Sequence, residues 1–475
     1  MSSEPAVFTA IPEGFPIERL RSFRIIPRIE TYPSVIALAQ TFAGKLALLT
    51  LFGLLLYQAD QYSWLMAACL ALPTFLPKKR HLAVTLATLI YTAAIIWMRT
   101  VQPFRIFLSI SLVFALCAIL MWIATLRQRT KIGQHPFLLL LGVFSSLILI
   151  CSWLRPQNLL SGPLWQFTTI LGSYVWFIGY ILLDREAKPF HKFGLELGSL
   201  HPFWGSTLTP FPNGPACLRQ IEGRDAEKVA VIQLKGLKLL VWATLLSLFL
   251  TLYNWFFYQH LGIPHFQKAL YLSTRRTPLP SLVCWVSLVL YFFYKLIFIS
   301  VWGHRIIACC RMAGFDALRN TCRPLSSTTV AEFFNRYYFY YKELLVHFFF
   351  FPTFLRLPAR LGTLRIAVAI FAAACLGNAY YHFTRDILYI QAHGLWQSVK
   401  SFQVFFFYTV VLAVGISLSR QQARPDPAKG FIRGTLIPAF LVSTFYCLLS
   451  IFATTDRNYP LVEHLRFLAH LFFLN

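Results

Sequence analysis

The sequence predicts an all-α, polytopic integral membrane protein of about eleven transmembrane helices, on three observations. Of 475 residues, 57% are hydrophobic and only 13% charged, against about 25% charged in ordinary soluble domains. Mean hydropathy is +0.59, more apolar surface than a soluble core of this size can hide. The apolar residues also fall in runs of roughly membrane length. Together these exclude a soluble enzyme, a disordered chain and a small disulfide scaffold.

The runs are Ile36–Tyr57, Tyr62–Leu76, Leu82–Met98, Ile106–Leu126, Phe137–Leu154, Phe167–Leu183, Leu239–Tyr258, Leu279–Val301, Leu364–Ile387, Phe402–Leu418 and Leu436–Phe452. Tyr62–Leu76 is the shortest against the ~20 residues a crossing needs. Residues 1–475 read as one membrane domain, with 1–35 a cytoplasmic or interfacial N-terminal segment and no removable signal peptide. Two stretches are not simple spans. Residues 184–235 combine five prolines with Trp204, and 302–360 mix Glu332, Arg336, Lys342, Glu343 and His347 with many aromatics. Such compositions fit interfacial or re-entrant segments.

Lys plus Arg number 43 against 18 Asp plus Glu, a formal charge of +25. The basic residues concentrate between the apolar runs, so they read as loop charges beside anionic lipid, with no nucleic acid implied. Lys78, Lys79 and Arg80 fill one connection and Arg127, Arg129 and Lys131 another, while Asp60 is the only charge between the first two runs. The positive-inside rule then places the N-terminus in the cytoplasm. The short loops suit a bacterial inner membrane.

Ten cysteines are present without a CxxC, and no HExxH, GxxxxGK[ST], GxGxxG or GxSxG occurs. No metal site, nucleotide loop or hydrolase elbow is expected. Ionisable groups inside apolar runs are functional candidates. Asn378, His382 and Asp386 are spaced i, i+4, i+8, one face of a helix. In that register Asp386 accepts a hydrogen bond from one His382 nitrogen and leaves the other as a base. The competing reading makes His382 a polar helix end at the interface. Lys45 and Lys295 read as snorkelling or paired cations, His347 as interfacial filler or site residue alike, and Phe339-Tyr340-Tyr341 as packing or headgroup anchors.

In order along the chain, several motifs resemble the membrane-bound O-acyltransferase family, especially its branch that O-acetylates polysaccharides. Glu332-Phe333-Phe334-Asn335-Arg336-Tyr337-Tyr338, followed by Pro352, resembles an acidic residue, Phe-Trp, Arg-Trp-His and an aromatic stretch ending in Pro. Gly314-Phe315, Asn320, Pro324 and Ser326-Ser327 resemble its lead-in. Tyr380-Tyr381-His382 sits where the family has Leu-Trp-His-Gly, whose His is the catalytic base. Phe211-Pro212-Asn213-Gly214-Pro215 with Arg219, then Lys235-Gly236-Leu237-Lys238, resemble upstream landmarks. Tyr338 stands in place of the family's first His, Phe334 and Tyr337 replace two Trp, and Phe383 replaces the Gly after the base.

The resemblance implies a helical bundle around a tunnel, with an acyl-CoA (acetyl-CoA as the first expectation) entering from the cytoplasm as donor substrate and no permanently bound cofactor. A hydroxyl of a glycan, lipid or small molecule would meet it near His382, the general base. Asn335 or Tyr338 would hold the acceptor or the oxyanion. Asn378, Asp386, Arg336, Glu332 and Arg219 would line the substrate path, with Arg219, Lys238 and Arg336 as candidates for the CoA phosphates. Membrane lipids are expected partners; a partner protein is left open. The altered motif residues support an alternative: a catalytically altered relative that binds lipid or glycan, or scaffolds a biosynthetic complex. An ion-coupled transporter would show repeat symmetry, and none is visible.

Overall fold

The protein is described here as a computed structural model, which covers residues 26–57, 63–100, 102–125, 135–155, 157–183, 198, 200–206, 209–273, 275, 278–421, 430–453, 457 and 459–473. Asp60, Arg127, Arg129 and Lys131 lie outside these described residues, as do residues 1–25 and 184–197. Among the described residues the fold is helical throughout, and its one β-type contact is an isolated bridge between Glu222 and Phe315.

Among the described residues eight helices are long and apolar enough to cross a membrane: Pro77–Arg99, Pro103–Ile123, Pro136–Trp153, Ser161–Leu183, Ala226–His260, Ser281–Met312, Ala359–Arg385 and Ile432–Leu449. Two bent pairs, Pro33–Gln40 with Phe42–Tyr57 and Leu395–Ser401 with Gln403–Ser419, bring the number to ten. The expected eleventh, Tyr62–Leu76, is the helix Ser63–Phe75, too short for a span at thirteen residues and interrupted by Pro73. Proline opens three of the long helices, where its missing N–H leaves no bond unmade. Asp225 caps Ala226 onward by accepting from the Lys228 N–H at 2.6 Å. The long helices bury between 22% and 50% of their most apolar stretch. The rest is an outward belt of Leu, Phe and Trp, including Trp97, Phe104 and Trp153, as a lipid-facing surface requires. The chain is a multi-pass membrane protein.

The first bent pair turns through 95° at Thr41. Thr41 Oγ1 accepts from the Gly44 N–H at 3.0 Å, starting the second helix. A Cβ on Gly44 would lie 1.8 Å from the Leu38 carbonyl oxygen, so the corner requires glycine.

Contacts sort the helix ends into two sets. At one end Arg80 Nη1 donates to Glu222 Oε1 at 3.0 Å and to the Gly223 carbonyl at 2.9 Å, and the Gly223 N–H donates to the Gly314 carbonyl at 3.0 Å. By helix alternation His135, 2.9 Å from Arg356, marks the same end. At the opposite end Arg457 meets Asp386, and Ser281 Oγ donates to the Leu471 carbonyl at 2.9 Å.

Two segments leave the Arg80 end, enter the bundle and return. One follows Met312. Its Val330 carbonyl accepts from the Tyr446 hydroxyl at 2.8 Å, and Phe333 stacks on Tyr446 at 4.0 Å. Tyr446 lies on Ile432–Leu449 near its far end, ~20 Å from Ile432 at 1.5 Å per residue. The chain then returns through Phe339–Leu345, the π-helical Val346–Phe350 and Phe351–Arg356 to Arg356. The other contains Gly198 and Phe203, whose N–H groups donate to Thr85 and Thr88 at 3.3 and 3.2 Å. It continues through Phe211, edge-on to Trp302 and Tyr340, to Gly214 against Tyr180. The two meet where Thr209 Oγ1 and the Tyr338 hydroxyl are 2.9 Å apart. Aromatic side chains fill the apolar interior they enclose, while their backbone bonds go to side chains and to each other.

Candidate functional site

The helix carrying His382 is irregular. Ala359–Arg385 contains a π-helical stretch, Ala372–Gly377, immediately before Asn378–Arg385. A π-turn inserts a residue and re-aims the side chains after it, and such turns recur at functional sites. Gly377 lies against the Phe349 ring, where a Cβ would approach a ring carbon to 2.5 Å. That contact brings the His382 helix close to the returning arm of the segment after Met312.

His382 is half-buried. Its ring sits 4.3 Å from Phe405, 5.3 Å from Tyr381 and 5.7 Å from Tyr341, centroid to centroid. Its nitrogens make no hydrogen bond among the described residues. One turn earlier Asn378 is 1% exposed, and its Oδ1 accepts from the Tyr341 hydroxyl at 2.7 Å. Tyr341 also lies 5.3 Å from Tyr338 and 4.8 Å from Tyr381. A connected group therefore runs from His382 and Asn378 through Tyr341 and Tyr338 to Thr209.

The expected bond between His382 and Asp386 is absent. The helix breaks at Asp386, with φ −88° and ψ 34°. Its carboxylate accepts from Arg457 Nη2 at 2.6 Å, with Arg385 Nε at 3.7 Å. The break removes Asp386 from the face it would share with His382 in a continuous helix, and a cation 71 residues on in sequence takes it. Asp386 thus clamps the far end of the bundle. Arg457 adds a Tyr389 ring 4.0 Å from its guanidinium.

Glu332 and Arg336 are engaged with their own segment. Thr329 Oγ1 accepts from the Glu332 N–H at 3.1 Å, and Glu332 Oε2 accepts from the Thr328 N–H at 2.8 Å, a reciprocal cap on Val330–Tyr337. Arg336 pairs with Glu332 at 2.6 Å and donates to Ser326 Oγ at 2.7 Å. Asn335 is half-buried on the same helix, and no hydrogen bond joins it to the His382 group. Arg219 is half-buried on Gly214–Gln220. Of the expected site residues, Asn378, Tyr338 and His382 come together; Asp386, Glu332 and Arg336 find other partners.

The structure adds Tyr341, the hub of the group, which by sequence is one more aromatic in Phe339-Tyr340-Tyr341. The signal for it is its spacing, three residues after Tyr338, the residue from which the helix Phe339–Leu345 starts. Lys295 is explained as structural. Its Nζ donates to the Ala453 carbonyl at 2.6 Å and lies 5.0 Å from the Tyr291 ring centre. His347 Nε2 is 3.9 Å from Glu343 Oε2, Glu343 pairs with Lys342, and His347 Nδ1 is buried without a partner beside Tyr180. All ten cysteines are free, and among the described residues no cluster of three His, Cys, Asp or Glu is arranged to hold a metal. No protein-family model matches the chain, and neither does any curated protein.

Proposed function

We propose that this chain is a membrane-bound O-acyltransferase that moves an acyl group, acetyl in the simplest case, from an acyl-CoA to a hydroxyl of a glycan, lipid or small molecule, with His382 as general base. The observation that carries the reading is the state of His382. Among the described residues its imidazole makes no hydrogen bond, is held by three rings, and is connected through Tyr341 to the hydroxyl pair of Thr209 and Tyr338, where the two entering segments meet. The half-buried ring thus has its nitrogens uncommitted to the fold, as a general base needs.

The chemistry follows from the group present. A neutral imidazole takes the proton of the acceptor hydroxyl as its oxygen attacks the thioester carbonyl carbon. The new C–O bond forms and the carbonyl π pair moves to oxygen. Collapse breaks the C–S bond, and the imidazolium returns its proton to the leaving thiolate. The products are an ester and free CoA. In this reading the Arg80 end faces the cytoplasm, as does the N-terminal segment, whose Glu30 pairs with Lys238. Lys78, Lys79, Arg224, Lys228, Arg319, Arg323, Arg356 and Arg360 at that end follow the positive-inside pattern.

The test uses the full chain in phosphatidylethanolamine–phosphatidylglycerol vesicles, with CoA thiol release from acetyl-CoA as readout and glycerol as hydroxyl acceptor. His382→Ala removes the base and is expected to lower the rate by about 10²–10⁴ while the protein still inserts and runs as a single species. An unchanged rate sinks the proposal. A second reading, a non-catalytic binder of lipid or glycan, is favoured by Glu332 and Arg336 being satisfied by each other. It predicts no thermal stabilisation by acetyl-CoA or palmitoyl-CoA, which binding to the folded state alone would produce.

A further inference from the structure

Asn378 is almost wholly enclosed, at 1% exposure, yet only half of its amide is used. Tyr341 donates to Oδ1 at 2.7 Å, and Nδ2 is buried with no partner among the described residues. Leaving such a donor unmade costs about 1–3 kcal/mol, and a fold under selection for stability alone would satisfy it or replace it. Three further features fix where the donor sits. Asn378 is one helical turn before His382 on the same face. It is the first residue after the π-helical Ala372–Gly377. Tyr341, which holds its carbonyl, also packs edge-on to His382 at 5.7 Å. One tyrosine thus orients the amide and borders the imidazole.

We propose that the Asn378 Nδ2–H is a catalytic hydrogen-bond donor that stabilises the oxyanion formed when the acceptor attacks the thioester beside His382, with Tyr341 as the positioning residue that fixes the amide. This rests on the acyltransferase reading. It assigns the donor role to Asn378 in place of Asn335, which has no bond to the group, and of Tyr338, which is paired with Thr209. As the acceptor oxygen bonds to the carbonyl carbon, the π electrons become a full charge on the carbonyl oxygen. The Nδ2–H, unpaired beforehand, gains a charged partner at that moment. An interaction made in the transition state and absent from the free enzyme raises kcat more than it lowers KM.

The experiment compares wild type, Asn378→Leu, Tyr341→Phe and His382→Ala, each as full chain in the same vesicles with acetyl-CoA and glycerol, with thermal melting of each recorded. Leucine keeps the approximate shape of asparagine and removes the donor. The expected result is a fall in kcat of about 10²–10³ for Asn378→Leu with KM within threefold, and at most about tenfold for Tyr341→Phe, which frees the amide but retains it. If Asn378→Leu fails to accumulate, Asn378→Ala carries the same comparison. The proposal is overturned, with the acyltransferase reading intact, if Asn378→Leu keeps kcat within threefold while His382→Ala abolishes release. It is equally overturned if Asn378→Leu and Tyr341→Phe lose the same activity and the same melting temperature, which marks Asn378 as a structural partner only. Wild type releasing thiol no faster than His382→Ala overturns both proposals.

Discussion

The Arg80 end and the interior around His382 are built by opposite rules. At the Arg80 end charges are matched. Arg80, 2% exposed, is answered by Glu222 and the Gly223 carbonyl; His81 Nε2 lies 3.0 Å from the other Glu222 oxygen; Lys235 meets Asp316 at 3.2 Å; Lys238 meets Glu30. Around His382 the contacts are rings and neutral hydroxyls, and the polar atoms left over are neutral, Asn378 Nδ2 and the Tyr381 hydroxyl, whereas at the Arg80 end the unpartnered Arg80 Nε, His81 Nδ1 and Glu30 Oε2 belong to groups already joined in ion pairs. The first region uses its polar groups to join helices that lipid alone would not hold together. The second leaves a neutral donor and an imidazole without hydrogen-bond partners among the described residues.

The largest difference should appear on deleting Glu222. Glu222→Ala strands Arg80 in a buried setting with one carbonyl, a loss of about 3–5 kcal/mol measurable as a lower unfolding midpoint in detergent. A drop no larger than that of a surface pair would erase the contrast between the regions. The same carboxyl gives the contrast a pH signature. The His81 hydrogen bond, opposed by burial and aided by the charges of His81, Arg80 and Arg224, holds Glu222 below its ordinary 4.5. A depressed acid contributes stability that is fully present above the ordinary value and lost as pH falls through the lowered one. Wild type should therefore lose stability below about pH 4.5, and Glu222→Gln should flatten that limb of the melting curve.

A smaller effect is expected at the opposite end. Asp386→Asn weakens the clamp on Arg457, whose side chain is 9% exposed, by about 1–3 kcal/mol. Amide exchange in Ile387–His393 and Leu395–Ser401 should quicken, because these short helices hang on that clamp through Arg457 and Ser401. Unchanged exchange would mean that packing alone holds them. The smallest effect belongs to Arg336→Ala. Its pair with Glu332 is about one-third exposed on both sides, so the loss should stay within about 1 kcal/mol, read from the melting midpoint.

Much of this arrangement was legible in the chain. Every predicted apolar run is helical over most of its described length, because burying a backbone in lipid demands it. The mixed aromatic and ionic character of 302–360 set that stretch apart from the simple apolar runs, and its path to Tyr446 and back to Arg356 is built from those residues. The pairing of Asn378 with His382 needed only helical spacing. What sequence could not supply were partners distant along the chain. The i+8 placement of Asp386 presumed an unbroken helix, and Arg457 was invisible as its competitor. Tyr341 resembled its neighbours, since a hub is defined by what converges on it. The Thr41 corner was hidden because hydrophobicity is blind to a 95° bend.

The meeting of Thr209 with Tyr338 has a bearing on biogenesis. The two residues stand 129 positions apart, with Ala226–His260 and Ser281–Met312 threaded between them. A ribosome delivers the earlier one long before the later one exists. The stretch around Thr209 must wait, half finished, until those helices have been released into the bilayer. The junction of the two segments thus forms late, and slow release of Ser281–Met312 would delay it while leaving the earlier spans in place.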